Sequence, residues 1–583
     1  MGIPSYFSYI IRNHATIVKK LKKLNKNIDH FYLDSNSIIY DALRKIEKEY
    51  TENDKEFQEK LYYLVCQKID EYVSIIKPRK TLFVAFDGVA PVAKLSQQRD
   101  RRYKSYLLNE IKNKFQKQSP TWDKTAITPG TSFMKYLSLF CKNYFLHKEK
   151  DYNIDKIIIS CSDEVGEGEH KIFHYIRTNE KTHKHTNTIV YGLDADLIML
   201  ALNHLSIANN IYLYRETPEF IRSLNSALEP NTPYILDIPN LKNAIDKELY
   251  SHSIQSQKNT QKNTQKNHNH ETKIDPPTKH QLTTQQLIKS KPKTNYKVNR
   301  YKNDSMSDYI FICFFLGNDF LPHFPSLNIR TKGIFKILGH YNHLFKNSNK
   351  TLIKGDTIHW ENVRKLVKEL AHEEYDNLIE EYKIRDKWSK RNYPKTTVEE
   401  KMVKLDNLPV KERSTELFID PYTSGWEKRY YKVLFDIDID DFWREKICIN
   451  YLEGLEWTFK YYKQGCIDWH WSYKYSYPPL FKDLLKYIPS WDTTFIIKNA
   501  NKPILPEIQL AYVLPRPSLK LLPNTFHDIL IEKQKENYPL SCKIKWSFCK
   551  YFWESHPDLP TININTLNKL YLESGCAKNT TLK

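Results

Sequence analysis

Three hydrophobic runs in the sequence each end in an aspartate. They occupy residues 31–34, 82–87 and 188–194, and they end at Asp34, Asp87 and Asp194. A run of aliphatic and aromatic residues closed by a carboxylate is typical of a buried strand in a parallel sheet, whose carboxyl end opens into a site. The sequence therefore predicts that three strands bring three acids to one edge of an α/β sheet.

Four more acids stand in comparable positions. They are Glu167 and Glu169 in GEGEH, Asp196 two residues after Asp194, and Asp319 in GND. Seven carboxylates brought together would repel one another unless cations lie among them. Ligands that are all oxygen favour a hard cation such as Mg²⁺ or Mn²⁺ over Zn²⁺. A single aspartate after a strand is more often a turn or cap residue, so the prediction depends on the seven as a group.

The acidic group belongs to a strongly basic chain. Its 583 residues include 89 Lys and Arg against 69 Asp and Glu, which gives a formal net charge of +20. This surplus is typical of proteins that bind polyanions, although a lysine-rich surface that only favours solubility gives the same count. Acids at a reaction centre with cations along a bound strand favour a nuclease that uses metal ions.

Cysteine usage and hydropathy bear on the compartment. Nine cysteines are scattered without a C-x-x-C pair, which argues against disulfides or a zinc ribbon and favours a reducing compartment. The start of the chain does not match a signal peptide, and the longest apolar run, 309–316, is too short to span a bilayer. We expect a cytoplasmic monomer. A nuclear location, from the basic KSKPK at 289–293, and a virus-encoded protein in a host cytoplasm are the alternatives.

The chain up to about residue 250 alternates short apolar runs with longer amphipathic stretches, as expected for an α/β domain. The clearest helix is predicted over 96–118. Its apolar residues recur every four positions at Tyr103, Leu107, Ile111 and Phe115. This spacing predicts one buried stripe on an otherwise charged helix.

A low-complexity stretch over 251–302 interrupts this pattern with tandem Gln-Lys-Asn-Thr repeats. It has too little apolar surface to offset the entropy of ordering, so we predict a disordered insertion. Because Asp319 belongs with Asp194 and Asp196, the insertion lies within one domain, 1–335. Residues 336–583 are predicted to form a second, mixed and largely helical region.

Motifs in both halves of the chain resemble the Xrn family of 5′→3′ exoribonucleases. In the first half they are MGIP at 1–4, YLDSN at 32–36, FDGVAP at 86–91, ITPGT at 127–131, GEGEHK at 166–171, YGLDADL at 191–197 and GNDFLPH at 317–323. In the second half they are GW at 425–426, YYK at 430–432, YLEGLEW at 451–457, YYKQG at 461–465, WHW at 469–471 and LP at 514–515. The similarity covers nearly the whole chain except 251–300, without the long carboxy-terminal extension of larger members.

The resemblance implies a fold and a reaction. The fold is a PIN/5′-nuclease-like central sheet flanked by helices, with the second conserved region packed against it and enclosing the active site. The acids implied to be catalytic and metal-binding are Asp34, Asp87, Glu167, Glu169, Asp194, Asp196 and Asp319. Two Mg²⁺ ions, with Mn²⁺ as an alternative, would activate a water and stabilise the leaving 3′ oxygen. The expected reaction is processive degradation of single-stranded RNA to nucleoside 5′-monophosphates.

The resemblance also implies a pocket for a 5′-monophosphate formed by Lys94, Gln98, Arg101 and Arg102. Arginine presents a fork of donors to phosphate oxygens, and lysine supplies a compact charge. Such a pocket would reject capped or triphosphorylated ends by crowding. Without the resemblance, the simpler interpretation is a solvated basic face of a helix.

A further implied feature is a pair of rings that stack on a base near the 5′ end. The family usually has a histidine where this chain has Tyr40. Tyrosine also stacks on bases, so we expect binding to be retained with an altered step efficiency. The second ring is expected to be Trp469 or Trp471, although a tryptophan in an aromatic-rich segment is more often a core residue.

Two other functions fit part of the pattern. A 5′ DNA or flap nuclease shares acid-rich α/β sites, but the similarity over 425–523 belongs to the RNA-degrading family. A non-catalytic RNA-binding scaffold would be expected to have lost one of the seven acids, and all seven are present. Protein partners cannot be read from the sequence.

Overall fold

The structure is a computed structural model that describes residues 2–115, 121–251, 305–499 and 501–576. The insertion predicted over 251–302 lies outside these residues, apart from residue 251 at the end of a helix.

A seven-stranded sheet forms the centre of the first half of the chain. Its strands are β1 Val18–Lys19, β2 His30–Asp34, β3 Thr81–Ala85, β4 Lys156–Ser160, β5 Asn187–Tyr191, β6 Asn210–Glu216 and β7 Pro233–Asp237. Their order across the sheet is β1-β7-β6-β5-β2-β3-β4. The strands from β6 to β4 are parallel, and β7 runs antiparallel to both of its neighbours. Since β2 has β3 on one side and β5 on the other, the strand order reverses at β2, where open α/β sheets bind ligands.

Helices cover both faces of the sheet and make up most of the second half. In the first half they are α1 Tyr6–Asn13, α2 Asn36–Ile46, α3 Asp54–Ile76, α4 Val92–Phe115, α5 Ser132–Tyr144, α6 Glu149–Tyr152, α7 Gly168–Thr178, α8 Glu180–His183, α9 Asp196–His204, α10 Ile221–Leu224 and α11 Ile238–Ser251. Next come α12 Ser305–Phe314, α13 Gly333–Phe345, α14 Trp360–Ser389, α15 Val398–Asp406, α16 Leu408–Lys411, α17 Ser414–Ile419 and α18 Trp426–Phe435. The last are α19 Asp441–Gln464, α20 Phe481–Tyr487, α21 Pro506–Val513, α22 Asn524–Lys533 and α23 Ile564–Glu573.

Two short hairpins complete the described strands. They pair β8 Ile353–Lys354 with β9 Thr357–Ile358, and β10 Ile544–Lys545 with β11 His556–Pro557.

The α/β class predicted from the alternating pattern is confirmed. All residues of β3, and all of β2 except the half-buried Asp34, are buried because helices cover both faces of the sheet. The second region packs on the first through a shared core, in which Leu200 of α9, Phe311 of α12 and Trp457 of α19 belong to one buried cluster. Among the described residues, no helix is long and apolar enough to cross a bilayer.

The predicted helix over 96–118 begins earlier than its pattern indicated. Helix α4 starts at Val92, whose backbone N–H donates to the carbonyl of Trp469 at 2.9 Å. The predicted buried stripe holds only at its start: Tyr103 is buried, whereas Phe115 is 43% exposed with the ammonium of Lys401 over its ring. The fully buried positions of α4 end at Lys104 because only its first half packs into the core.

Candidate active site

Asp34 and Asp87 lie at the carboxyl ends of the neighbouring strands β2 and β3. Asp34 is the last residue of β2, and Asp87 follows β3 by two residues. The backbone N–H of Gly168 donates to Asp87 Oδ1 at 2.7 Å, and the Asn36 amide donates to Oδ2 at 2.5 Å. A Cβ at Gly168 would lie 2.7 Å from Asp34 Oδ1, so glycine allows α7 to begin against the acids.

Glu167 and Glu169 lie at the start of α7. Glu167 directly precedes the helix and Glu169 is in its first turn, and both are buried. The Tyr461 hydroxyl of α19 donates to Glu167 Oε2 at 2.9 Å, and the Tyr461 ring stacks on His170 with centroids 3.7 Å apart. The second region therefore contacts one of the predicted acids, Glu167, directly through a hydrogen bond.

Asp194, Asp196 and Asp319 approach from the other side. Asp194 follows β5 and is solvent-accessible, whereas Asp196 begins α9 and is only 2% exposed. Asp319 follows α12 and accepts the backbone N–H of Gly2 at 3.0 Å. Gly2 has a positive φ of 55°, and a Cβ there would lie 2.0 Å from Asp196 Oδ1. Only glycine fits this position, which explains the second residue of the MGIP motif.

The ammonium of Lys94 lies between two of the acids. Its Nζ is 2.5 Å from Asp319 Oδ2 and 2.7 Å from Glu167 Oε1, and the residue is buried. Burial opposes its charge, but the two carboxylates outweigh burial and raise the pKa of Lys94 above the usual lysine value. The structure thus brings a residue predicted for the 5′-phosphate pocket among the acids.

Burial and mutual repulsion raise the pKa of three of the acids. Burial, and then the charge of Asp87, raises the pKa of Asp34 well above that of a free aspartate. Burial and Asp196 raise the pKa of Glu169, and burial and Asp319 raise the pKa of Asp196 to about 7. The group is therefore close enough to interact electrostatically and has more negative charge than Lys94 neutralises.

The donor set fits a hard divalent cation. Glu169 Oε2 and Asp196 Oδ1 are buried without a hydrogen-bond partner, and unpaired carboxylate oxygens are the ligands that Mg²⁺ and Mn²⁺ prefer. Within the described ranges, no three His, Cys, Asp or Glu side chains are already arranged to hold a metal ion. The residue types fit, and the side chains would have to turn towards the ion.

Three of the four predicted phosphate residues share a stripe of α4. Lys94, Gln98 and Arg102 are spaced by four, and the Arg102 guanidinium donates to Gln98 O at 3.4 Å and to Thr128 Oγ1 at 2.7 Å. Gln98 Oε1 is buried without a partner. Burial, and then the neighbouring Arg101, lowers the pKa of Arg102 to about 10. Arg101 itself is exposed and lines a cavity on the adjacent face of α4.

The predicted stacking residues differ in their surroundings. Tyr40 of α2 is 37% exposed. The Trp471 indole stacks on Trp457 with centroids 5.3 Å apart and donates to Glu453 Oε2 at 3.1 Å, so it is a packed residue. Trp469 is half-buried, and its ring has no aromatic partner among the described residues. Its carbonyl accepts from the first residue of α4, which brings it beside the predicted phosphate pocket.

Sequence reasoning missed three residues of the site. Gln97 donates to Asp319 Oδ1 at 2.5 Å. The Asn36 side-chain amide donates to the Asp87 carboxylate and accepts from the Asp87 backbone N–H. Gln97 is next to Gln98 and Asn36 is two residues after Asp34, so their position was a signal. Tyr461 stands in the YYKQG motif, but the motif does not indicate its contact with Glu167, which lies 294 residues away.

Two cavities adjoin α4, and both include Asp319 in their lining. The larger, of about 630 Å³, is also lined by Gln97, His470 and Tyr512. The smaller, of about 230 Å³, is also lined by Gly2, Arg101 and Trp553. Of the seven acids, Asp319 is therefore the one that borders both cavities.

The acids are grouped at the switch point of the sheet, which is the place beside β2 where the strand order reverses, and a basic helix lies next to them. This arrangement defines an α/β enzyme of the nuclease type. Comparison with known proteins gives the family. Residues 1–217 match the family model described as "XRN 5′-3′ exonuclease N-terminus". Residues 295–417 and 419–573 match the model described as "Xrn1 helical domain", which contains Asp319.

Curated relatives are similar over nearly all of the chain. A 5′-3′ exoribonuclease 2 homolog of Drosophila melanogaster is 27% identical, over 98% of this chain and 70% of the relative. The 5′-3′ exoribonuclease 2 of Gallus gallus is 25% identical, over 97% and 69%. The 5′-3′ exoribonuclease 1 of Homo sapiens is 27% identical, over 97% of this chain but 33% of the relative.

The chain belongs to the Xrn family of 5′→3′ exoribonucleases and is an enzyme of that class, which depends on divalent metal ions. The resemblance inferred from the motifs is confirmed, as is the implied PIN-like sheet. The roles of individual site residues, the domain limits, the monomeric state and the cytoplasmic location stay predictions.

Proposed function

We propose that the chain hydrolyses single-stranded RNA processively from a 5′-monophosphate end and releases nucleoside 5′-monophosphates. The observation that carries the proposal is the grouping of seven acids at the switch point, with buried carboxylate oxygens that lack partners, beside a basic helix. Two Mg²⁺ ions, with Mn²⁺ as an alternative, are the proposed cofactors.

The acids Asp34, Asp87, Glu167, Glu169, Asp194, Asp196 and Asp319 are proposed to hold these ions. Bound there, the ions would supply an activated water and stabilise charge on the leaving 3′ oxygen. The protein's own contribution is positioning. Asn36 and Gly168 hold the Asp87 carboxylate by hydrogen bonds. Tyr461 donates to Glu167 in the same way, and Gln97 donates to Asp319.

The 5′ end is proposed to bind along the stripe of Lys94, Gln98 and Arg102, with Arg101 at its border. Gln98 has an unpaired buried oxygen, and among the described residues Arg102 donates only to neutral oxygens, so its charge is available to phosphate. Lys94 pairs with Asp319 and Glu167, and we propose that its ammonium turns to the terminal phosphate when these carboxylates hold cations. Metal binding and recognition of the 5′ end are then coupled through one side chain.

The first bases are proposed to stack on Tyr40 and Trp469. Tyr40 is exposed and lies near Arg102 of α4, and the half-buried Trp469 contacts the start of α4 through its backbone, whereas Trp471 is held by Trp457 and Glu453. Stacking on rings tolerates any base, as a processive enzyme requires.

The test compares one RNA sequence with 5′-monophosphate, 5′-hydroxyl or 5′-triphosphate ends, and its DNA counterpart, in Mg²⁺. We expect mononucleotides from the monophosphate RNA alone, with loss of release in Asp194→Ala. Asp163→Ala, an exposed acid outside the group, is the matched control and retains activity. An excess of unlabelled RNA added after the reaction starts tests processivity, since a processive enzyme finishes the molecules already bound.

Three results would contradict the proposal. Preferential release from DNA would indicate a 5′ DNA nuclease. Binding of RNA without release of mononucleotides would indicate a scaffold. Unchanged release in Asp194→Ala would exclude the acidic group as the reaction centre.

A further inference from the structure

An aromatic and basic surface adjoins the smaller cavity, which Trp553 also lines. The Tyr551 and Trp553 rings are nearly parallel, with an interplanar angle of 17° and centroids 6.0 Å apart. The ammonium of Lys550 lies 4.4 Å from the centroid of Trp388 and 5.3 Å from that of Tyr551. Trp553 is 40% exposed, so one ring of this group faces solvent. Rings that alternate with cations are the usual features of a single-strand binding surface.

The same surface has surplus positive charge. Arg12, in the last turn of α1, and Arg391, just after α14, are exposed and have no ion-pair partner among the described residues. Burial, and then the charges of Arg330, Arg391 and Arg12, lowers the pKa of Lys550, so each of these arginines lies close enough to repel Lys550.

Two carboxylates reduce this surplus without removing it. Glu554 pairs with Arg330 at 2.5 Å, and Asp406 lies near the Tyr551 ring. The surface therefore has four cations and two acids. The cations are Arg12, Arg330, Arg391 and Lys550, and the two exposed arginines, Arg12 and Arg391, are not neutralised. Such a surface attracts a polyanion.

The smaller cavity connects this surface to the candidate active site. Its lining includes Asp319 of the acidic group and Gly2, whose backbone N–H donates to Asp319, and also Arg330 and Trp553. A strand whose 5′ end reaches the acids through this cavity would therefore pass Trp553 first. The placement next to the cavity favours a nucleic-acid strand over an acidic protein, which would have no need to reach the acids.

We infer that the surface formed by Arg12, Trp388, Arg391, Lys550, Tyr551 and Trp553 binds the single-stranded RNA that follows the 5′ end, several nucleotides downstream of the cleaved bond. The inference rests on the proposed function. The cations contact phosphates and the exposed Trp553 ring stacks on a base. This surface would hold the substrate between successive cleavages.

Equilibrium binding to RNAs of different length tests the inference. The probes are 5′-monophosphorylated RNAs of 4 and 20 nucleotides, measured by fluorescence anisotropy on the full chain in EDTA, which prevents hydrolysis. We expect the 20-mer to bind more tightly than the 4-mer. Arg12→Gln/Arg391→Gln should weaken the 20-mer about tenfold at low salt and lower its salt dependence by about 1.4 in log–log slope. Lys135→Gln/Lys498→Gln, which replaces two exposed lysines elsewhere, is the matched control.

Trp553→Ala tests the stacking contribution separately. We expect at least about fivefold weaker binding of the 20-mer with an unchanged salt slope, because stacking does not release counterions. Trp491→Ala, an exposed tryptophan remote from the cavity lining, is the matched control and should bind like wild type.

Several outcomes would overturn the inference. They are equal affinity of the wild type for both lengths, equal loss for both lengths in Arg12→Gln/Arg391→Gln, or displacement of the 20-mer by poly-glutamate as readily as by unlabelled RNA. The last would indicate an acidic protein partner. Failure of the proposed function is a separate result, since it appears as absence of mononucleotides in Mg²⁺ and leaves the length dependence in EDTA unaffected.

Discussion

The first and second regions of the chain contribute different things to the site. Residues up to Asp319 supply the charges: all seven acids and the cations of α4, with acids that raise one another's pKa. The second region supplies neutral rings and hydrogen bonds, including Tyr461 against Glu167 and Trp469 beside α4. We propose that the chemistry depends on the charges of the first region, and that the second region adds positioning contacts to those of Asn36, Gly168 and Gln97. Substitutions should therefore abolish activity in the first region and only reduce it in the second.

The largest effect is expected from Asp196→Asn. This change keeps the side-chain shape and removes one charge that would hold a cation, so we expect kcat to fall on the order of 10³-fold. Release of mononucleotides from monophosphorylated RNA is the measurement, with Asp163→Asn as the control. Activity within tenfold of wild type would contradict the division of roles between the two regions, because the second region would then contribute to the chemistry.

The same variant should change how stability depends on pH in the absence of divalent cations. The pKa of Asp196 is raised from 3.8 to about 7 in the folded protein. The folded state then holds this proton more tightly, so stability is full below the unfolded pKa and falls as pH rises through the folded value. Between pH 4.5 and 7.5 the wild type should lose on the order of 3 kcal/mol that Asp196→Asn does not lose. Urea unfolding in EDTA measures the free energy of unfolding of the wild type and of Asp196→Asn at each pH. If the two free energies changed with pH in parallel, the repulsion that raises the pKa of Asp196 would be contradicted.

Tyr461→Phe should have an intermediate effect. It removes the donor that orients Glu167, and loss of such outer partners typically costs about tenfold in activity or metal affinity. The Mg²⁺ concentration for half-maximal activity should rise accordingly. Tyr431→Phe, which removes a buried hydroxyl bonded to Asp483 in the same region, is the matched control and should leave the Mg²⁺ dependence unchanged.

The two tryptophans separate binding from packing within the second region. Trp469→Ala should weaken RNA binding about tenfold with little change in the free energy of unfolding. Trp471→Ala should lower that free energy by about 2–3 kcal/mol, because its ring packs on Trp457. Comparable binding losses in equally stable variants would show that Trp471 also contacts RNA.

The smallest effect is expected from Tyr40→His, which restores the residue usual in the family. Both rings stack on bases, so the rate per nucleotide should change by no more than about threefold. A larger change would mean that the imidazole does more than stack.

Local patterns predicted much of the fold. Residues 31–34 and 82–87 consist of apolar residues closed by an acid, and the structure has β2 and β3 there with Asp34 and Asp87 at their ends. Helix α4 was expected from its four-residue spacing, but the spacing did not reveal that only its first half is buried. A helix of this composition can be either buried or exposed. Which of its residues are buried depends on the elements that pack against it.

The seven acids and the basic helix were thus evident from the sequence, because strand ends and helical spacing are local properties of the chain. Three features depended on the tertiary structure: Lys94 lies among the acids, Tyr461 braces Glu167, and Trp471 is packed whereas Trp469 is accessible. Each depends on contacts between segments far apart in the chain, up to 294 residues for Tyr461. Such contacts are set by how the second region packs on the sheet, and no local pattern encodes that packing.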